Sequence, residues 1–190
     1  MTENLTLSGK PKKQFSTLDL VCTAIFAALM AVCSWISIPT LVPLSLQTFA
    51  VFLTLQMLGG RRGFFAILVY ILLGAVGVPV FAEFTSGPSV LFGSTGGYLI
   101  GFLFTALLYW GATNMLGEKL YIQILSLVLG ILVCYAFGTA WFMIVYTHDN
   151  GAVGLWTALG WCVFPFLLPD AAKLAVSVTL TTALKKRVKL

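Results

Sequence analysis

The chain has 190 residues, of which 59% are hydrophobic and only 9% are charged, and its formal net charge is +5. Soluble domains carry roughly 25% charged residues, so this composition excludes an ordinary soluble globular protein. It is typical of a chain that lies in lipid, where apolar side chains face acyl tails rather than water.

Apolar segments of helical length predict a single integral membrane domain, residues 1–190, built as an all-α bundle of six transmembrane helices. A polar leader, residues 1–16, precedes an apolar run that is too long for the hydrophobic core of a secretory signal, so we interpret this run as a retained helix. The predicted helices cover approximately residues 18–38, 46–58, 63–76, 98–116, 120–146 and 170–184, with a shorter apolar segment at 155–164.

Prolines and glycines define the predicted connections. Pro39 and Pro43 interrupt the helical pattern, so residues 38–46 are expected to be extended. The long outer loop at residues 77–97 is rich in glycine, proline and phenylalanine and almost uncharged. Because a solvated loop is more polar, we expect this loop to close over an apolar ligand pocket.

If the chain crosses the membrane six times, ten of its eleven basic residues lie on the same side of the membrane. Cytoplasmic loops carry the excess of lysine and arginine, which predicts an N-in, C-in topology in the cell membrane. Basic residues that flank membrane helices also argue against a nucleic-acid groove. The clusters are Lys10, Lys12 and Lys13; Arg61 and Arg62; Lys119; and Lys185, Lys186, Arg187 and Lys189.

Asp170 and Lys173 are charged residues within the last predicted helix. Charges inside a membrane helix are costly and are usually paired and functional. A spacing of three residues places both side chains on one face of the helix. This pattern favours a ligand-binding site, and the alternative is an internal ion pair that only holds the helix in place.

The outer loops offer a second group of candidate ligand-binding residues. Phenylalanines are expected to wall an apolar cavity, and hydroxyl and amide side chains are expected to supply polar contacts. A glycine-rich segment stands where the fourth helix begins, and free N–H groups at a helix N-terminus favour anions or carbonyls. The alternative for the loop is a packed plug that binds nothing, and the alternative for Gln47 is a side chain bonded to the backbone. Glu83 is expected to be solvated at the outer surface. The candidates are Gly93, Thr95, Tyr98, Gln47, Phe81, Phe84 and Phe92.

Four alanines in the first helix form two overlapping small-x-x-x-small pairs, Ala24/Ala28 and Ala27/Ala31. Small residues allow helices to approach closely in lipid. The functional interpretation is a docking surface for a partner membrane subunit. The alternative is packing within this bundle.

Several common signatures are absent from the sequence. There is no G-x-x-x-x-G-K-[ST] nucleotide loop, so any use of ATP requires another protein. The lone His148 and four scattered cysteines form no metal signature, and no convincing nucleophile–base pair indicates an enzyme. We therefore expect no catalytic residues, no metal and no cofactor.

Five motifs in one order extend over nearly the whole chain. They are Ile38-Pro39 with VPLSLQT at 42–48, LGGRRG at 58–63, LGAVGVPVFA at 73–82, GSTGGYLIGF at 93–102 and PDAAK at 169–173. With these motifs the chain resembles the BioY family, the biotin-specific substrate-binding (S) components of energy-coupling-factor (ECF) vitamin transporters. Ser94 replaces a proline expected in many relatives, and Ala171-Ala172 replaces bulkier apolar residues, but neither change removes a polar contact.

The resemblance implies a six-helix bundle that binds biotin near its outer face, with Asp170 and Lys173 among the ligand contacts. It also implies an EcfT-type coupling subunit, met by the alanine face of the first helix, and two cytoplasmic EcfA-type ATPases. The alternatives are an S component for another vitamin, a self-sufficient secondary carrier with Asp170 as a proton relay, an intramembrane enzyme, and a structural interaction protein.

Overall fold

The computed structural model describes residues 16–187, without the side chains of residues 149 and 150. The predicted leader up to residue 15, with its lysines, and Lys189 of the C-terminal cluster lie outside the described residues. Within that range the elements in chain order are α1 (Thr17–Trp35), β1 (Ser37–Ile38), β2 (Leu44–Ser45), α2 (Gln47–Ala75), a 3₁₀ turn (Ala82–Phe84), α3 (Pro88–Phe92), α4 (Gly96–Leu116), α5 (Leu120–Asn150), α6 (Leu155–Cys162) and α7 (Phe164–Lys185).

The first helix begins with a capping box and ends earlier than predicted. The Ser16 side chain accepts a hydrogen bond from the helix backbone, and Asp19 accepts one from the Ser16 N–H at 3.0 Å. The helix stops at Trp35 rather than residue 38, because β1 pairs with β2 in a short antiparallel ladder. The extended connection predicted around Pro39 and Pro43 is therefore confirmed.

The long helix α2 is a hairpin of two antiparallel arms, residues 47–58 and 60–75. Only Gly59, at φ 78° and ψ 175°, leaves helical geometry, and glycine adopts positive φ readily. The Gln47 Nε2 atom lies 2.8 Å from the Tyr70 hydroxyl, although a straight helix would separate these residues by about 35 Å. The predicted non-helical break at 59–62 is thus wrong except at its first residue.

The C-terminal third also differs from prediction. Helix α7 begins at Phe164 rather than residue 170. Pro165 lies in the first turn, where its missing N–H would have no intrahelical partner, and Pro169 remains within the helix. The apolar segment before it forms helix α6, and α5 continues to Asn150 rather than ending at 146.

Close packing of α4 against α5 depends on small residues. Gly101 lies against Cys134, and Gly130 lies against Thr105, so added side-chain atoms would collide at either glycine. The Thr105 hydroxyl donates to the Gly130 carbonyl at 2.9 Å. Small residues at helix contacts are the usual means of association in lipid, where no hydrophobic force draws helices together.

The outer surface of the described bundle is apolar, as lipid requires. Large hydrophobic side chains such as Ile25, Leu132 and Val176 are exposed. Five helical runs in the described residues are long and apolar enough to cross a membrane, and the run at Gln47–Ala75 is the hairpin. The predicted all-α membrane fold is confirmed at this level.

The loop between α2 and α3 is anchored on the bundle by Phe81. Its ring is buried against Gly74, where no Cβ could be accommodated, and packs edge-on to Tyr70 with centroids 5.7 Å apart. The adjacent Val80 carbonyl accepts hydrogen bonds from the Ser34 hydroxyl at 2.5 Å and the Tyr70 hydroxyl at 3.0 Å. These contacts therefore join the loop to α1 and to the second arm of α2.

The substitution Gly74→Ala tests this anchor. Its methyl group would occupy the position of the Phe81 ring, so we expect a loss of about 1–3 kcal/mol in unfolding free energy. Thermal unfolding in detergent measures the change. Gly111→Ala, in α4 with open space around it, is the control and should keep the wild-type midpoint or raise it slightly, because alanine favours a helix more than glycine does. Equal midpoints for both variants would contradict the anchor.

Candidate ligand-binding site

A cavity of about 370 Å³ lies between two loop segments and four helices. Its volume is within the usual range for small-molecule pockets. One wall consists of residues from 40–48 and 81–95. The helices α4 to α7 supply the remaining lining residues, which are Tyr98, Leu99, Phe102, Ile131, Cys134, Tyr135, Cys162, Phe166 and Asp170.

Asp170 is the charged centre of this cavity wall. The residue is only 5% exposed, and its Oδ1 atom lies 2.7 Å from the Lys173 ammonium. Its Oδ2 atom accepts a hydrogen bond from the Tyr135 hydroxyl at 2.5 Å. Burial of an ion pair is costly unless further hydrogen bonds satisfy it, and Tyr135 supplies one. The side chains predicted to meet at a spacing of three residues do so.

Lys173 and Asp170 occupy different positions relative to the cavity. Asp170 lines it, whereas Lys173 is not a lining residue and reaches the carboxylate from the next turn of α7. The ammonium therefore neutralises the carboxylate from behind. Of the two residues, Asp170 is the one that borders the cavity directly, and Lys173 sets the charge balance of its carboxylate.

Tyr135 is a functional candidate that sequence patterns alone could not identify. It lies on α5, 35 residues before its partner, within an apolar stretch. No spacing rule links residues on two different helices at this separation.

The polar candidates of the outer loops reach the cavity. Thr95 and Gly93 line it just before α4, and the Gly93 carbonyl accepts a hydrogen bond from Trp141 Nε1 at 2.9 Å. Tyr98 lines it from the first turn of α4, and its hydroxyl lies 3.0 Å from the Thr139 hydroxyl. Contacts with α5 thus fix this segment at the cavity wall.

Gln47 also lines the cavity, at the start of α2. Its side-chain N–H donates to the Tyr70 hydroxyl at 2.8 Å, and Tyr70 donates to the Val80 carbonyl. Its own backbone N–H reaches the Ser45 hydroxyl at 3.3 Å. The amide is therefore oriented by the same network that anchors the loop.

The phenylalanine candidates divide into one that lines the cavity and two that do not. Phe81 contributes to the wall, whereas Phe84 and Phe92 are 62% and 70% exposed and are not lining residues. Phe84 has φ 58°, a backbone conformation that lets its ring stack on Trp35 with centroids 4.9 Å apart. The expected cavity wall of three phenylalanines is therefore wrong for Phe84 and Phe92.

The alanine pairs of α1 do not share one surface. Ala27 and Ala31 are 2% and 5% exposed and pack inside the bundle, whereas Ala24 and Ala28 face outward. Adjacent helical residues differ by about 100° in direction, so the two overlapping pairs diverge. The expected four-residue docking surface is thus wrong for the Ala27/Ala31 pair.

Within residues 16–187, no three or more His, Cys, Asp or Glu side chains converge in a way that would hold a metal ion. The cavity instead combines apolar surface with a few oriented polar groups. That combination is suited to an organic molecule with hydrogen-bond donors.

Comparisons with known proteins identify the family of this chain. The BioY family model matches residues 8–190. The biotin transporter BioY of Thermotoga maritima is 40% identical, with 88% of this chain and 96% of that protein covered. The biotin transporter BioY2 of Lactococcus lactis is 41% identical, with 78% and 81% covered.

A solved structure has the same fold. It is described as the S-component for biotin from an ECF-type ABC transporter, and it superposes with a TM-score of 0.78. The match covers 92% of this chain and 96% of that one at 21% identity, which is evidence for the fold. Together with the match over residues 8–190, these relatives establish that the chain belongs to the BioY family.

Proposed function

We propose that this protein is the biotin-binding S component of an ECF-type importer and captures biotin from outside the cell. The observation that carries the proposal is the buried carboxylate of Asp170, which faces the cavity with both oxygens already oriented. Family membership and relatives named as biotin transporters support the choice of ligand. The protein itself carries out no reaction.

The chemistry of biotin fits this cavity. Its ureido ring offers two N–H donors and a carbonyl, and an ionised carboxylate has about four lone-pair sites, of which Lys173 and Tyr135 use two. Asp170 can therefore still accept a hydrogen bond from a ureido N–H. The apolar ring and tail match lining residues such as Leu99 and Phe102.

The proposed topology is six crossings with both termini in the cytoplasm. Its support is the antiparallel α2 hairpin, which turns one long helical run into two arms. Arg62 at the hairpin tip lies 2.7 Å from Asp19 at the start of α1. The hairpin tip, with its arginines, and the start of α1 therefore lie at the same end of the bundle, which we assign to the cytoplasm.

Uptake requires partners in this proposal, because the sequence has no nucleotide-binding loop. An EcfT-type membrane subunit and two EcfA-type ATPases would supply ATP hydrolysis. Ala24 and Ala28 are exposed small residues on α1 and would provide the surface on which the coupling subunit docks.

Ligand binding by purified protein tests the proposed site. Calorimetric titration should give about one biotin per chain, and Asp170→Asn or Lys173→Ala should weaken binding by about tenfold or more, since each removes part of a charge-assisted contact. Unfolding temperatures show whether the variants remain folded.

Asp19→Asn is the matched control for these variants. It breaks a partly exposed ion pair, with Arg62 at 2.7 Å, but does not touch the cavity. We expect wild-type affinity from this variant. Unchanged affinity in both Asp170→Asn and Lys173→Ala would refute the site, and binding of riboflavin or thiamine instead of biotin would refute the ligand.

A bulky substitution on α1 tests partner docking. Ala28→Leu should leave biotin binding by the isolated protein unchanged but should reduce ATP-driven uptake by the reconstituted four-subunit complex, because the leucine keeps the helices apart. Ala136→Leu, at an exposed alanine of α5, is the control. Equal uptake rates for the two variants would contradict docking through α1.

A further inference from the structure

The charges that line the cavity are unbalanced. Among the lining residues that the structure describes, Glu83 and Asp170 are acidic, and none is a lysine, arginine or histidine. Lys173 neutralises Asp170 at 2.7 Å. Glu83 is exposed at the rim and forms no ion pair with any residue between 16 and 187. Within the described part of the chain, the cavity wall therefore carries one negative charge without a cationic partner, that of Glu83 at the rim.

The backbone at Glu83 is strained. Glu83 and Phe84 both adopt left-handed conformations, with φ 57° and 58°, which non-glycine residues rarely do. For Phe84 the ring stack on Trp35 offsets this strain, and the Trp35 Nε1–H also donates to the Pro79 carbonyl at 2.8 Å. Glu83 has no comparable side-chain contact in the described residues. Strained residues of this kind cluster at ligand clamps, which indicates that Glu83 serves the ligand.

The same charges favour one orientation of a biotin-like ligand in the cavity. The interior of the cavity offers Asp170 as an acceptor for ureido N–H groups but no cation for the tail carboxylate. Burial of an unpaired carboxylate is strongly unfavourable. The ring system is thus placed inside and the tail at the rim, where the carboxylate remains hydrated but lies beside the like charge of Glu83.

We propose that Glu83 makes this site selective for the charge of the ligand's tail, so that it binds biotin amides with a cationic tail more tightly than biotin with its free carboxylate. The inference rests on the proposed function, since it assumes that the cavity binds the biotin ring system. The substrate class is a biotin carboxamide that carries an ammonium group, as an amide of a diamine or of lysine does.

Three probes of equal ring structure test the proposal. They are biotin, neutral biotinamide and the ethylenediamine amide of biotin, whose tails are anionic, neutral and cationic. In wild-type protein at low ionic strength the cationic amide should bind tightest and biotin weakest. Because Glu83 is exposed, we expect the dissociation constant to change roughly threefold for each unit of charge on the tail. High salt should compress the differences.

Variants assign the effect to Glu83. Glu83→Gln should bring the affinities of the three probes together, and Glu83→Gly should do the same while relieving the positive φ. Glu118→Gln removes a carboxylate from an exposed position between α4 and α5, away from the cavity, and should keep the wild-type order.

Two results would overturn the proposal: wild-type protein that binds the cationic amide no more tightly than biotin, or an order of affinities that survives in both Glu83 variants. Both leave the proposed function intact, because the biotin ring system still binds. If none of the probes binds to folded wild-type protein, the proposed function and this inference fail together.

Discussion

The contact of Asp170 with Lys173 and Tyr135 is the interaction on which the account of this protein depends. Removal of two charges from water costs several kcal/mol per ion, and a hydrophobic replacement of similar volume is often no less stable. The pair is nevertheless present, with the acid facing a cavity and the base on the next turn of the helix. Because the ion pair adds little to stability, we attribute its presence to the binding of a ligand with N–H donors.

The surrounding fold keeps that carboxylate accessible from one side. Pro165 starts α7 early enough for Asp170 to lie within a formed helix, and α5 carries Tyr135 to it. Across the cavity, Phe81 is seated against Gly74 and holds the loop in place. Helix packing and the seated Phe81 thus hold two sides of the cavity in place, which limits the ordering that a ligand must induce.

Sequence patterns predicted the features that depend on local spacing. Membrane helices follow from apolar length, and the pairing of Asp170 with Lys173 follows from helical periodicity. Contacts between distant segments could not be predicted in this way, which is why Tyr135 was missed. The outward direction of Phe84 depends on a positive φ that no propensity suggests for phenylalanine, and the burial of Ala27 depends on which face of α1 meets α2.

A structure of the protein with bound biotin tests the central claim most directly. The account predicts a ureido N–H group within hydrogen-bond distance of the Asp170 carboxylate, or joined to it through one water molecule. A well-ordered biotin with neither Asp170 nor Lys173 near it would contradict the account and reduce the pair to a structural contact within the bundle.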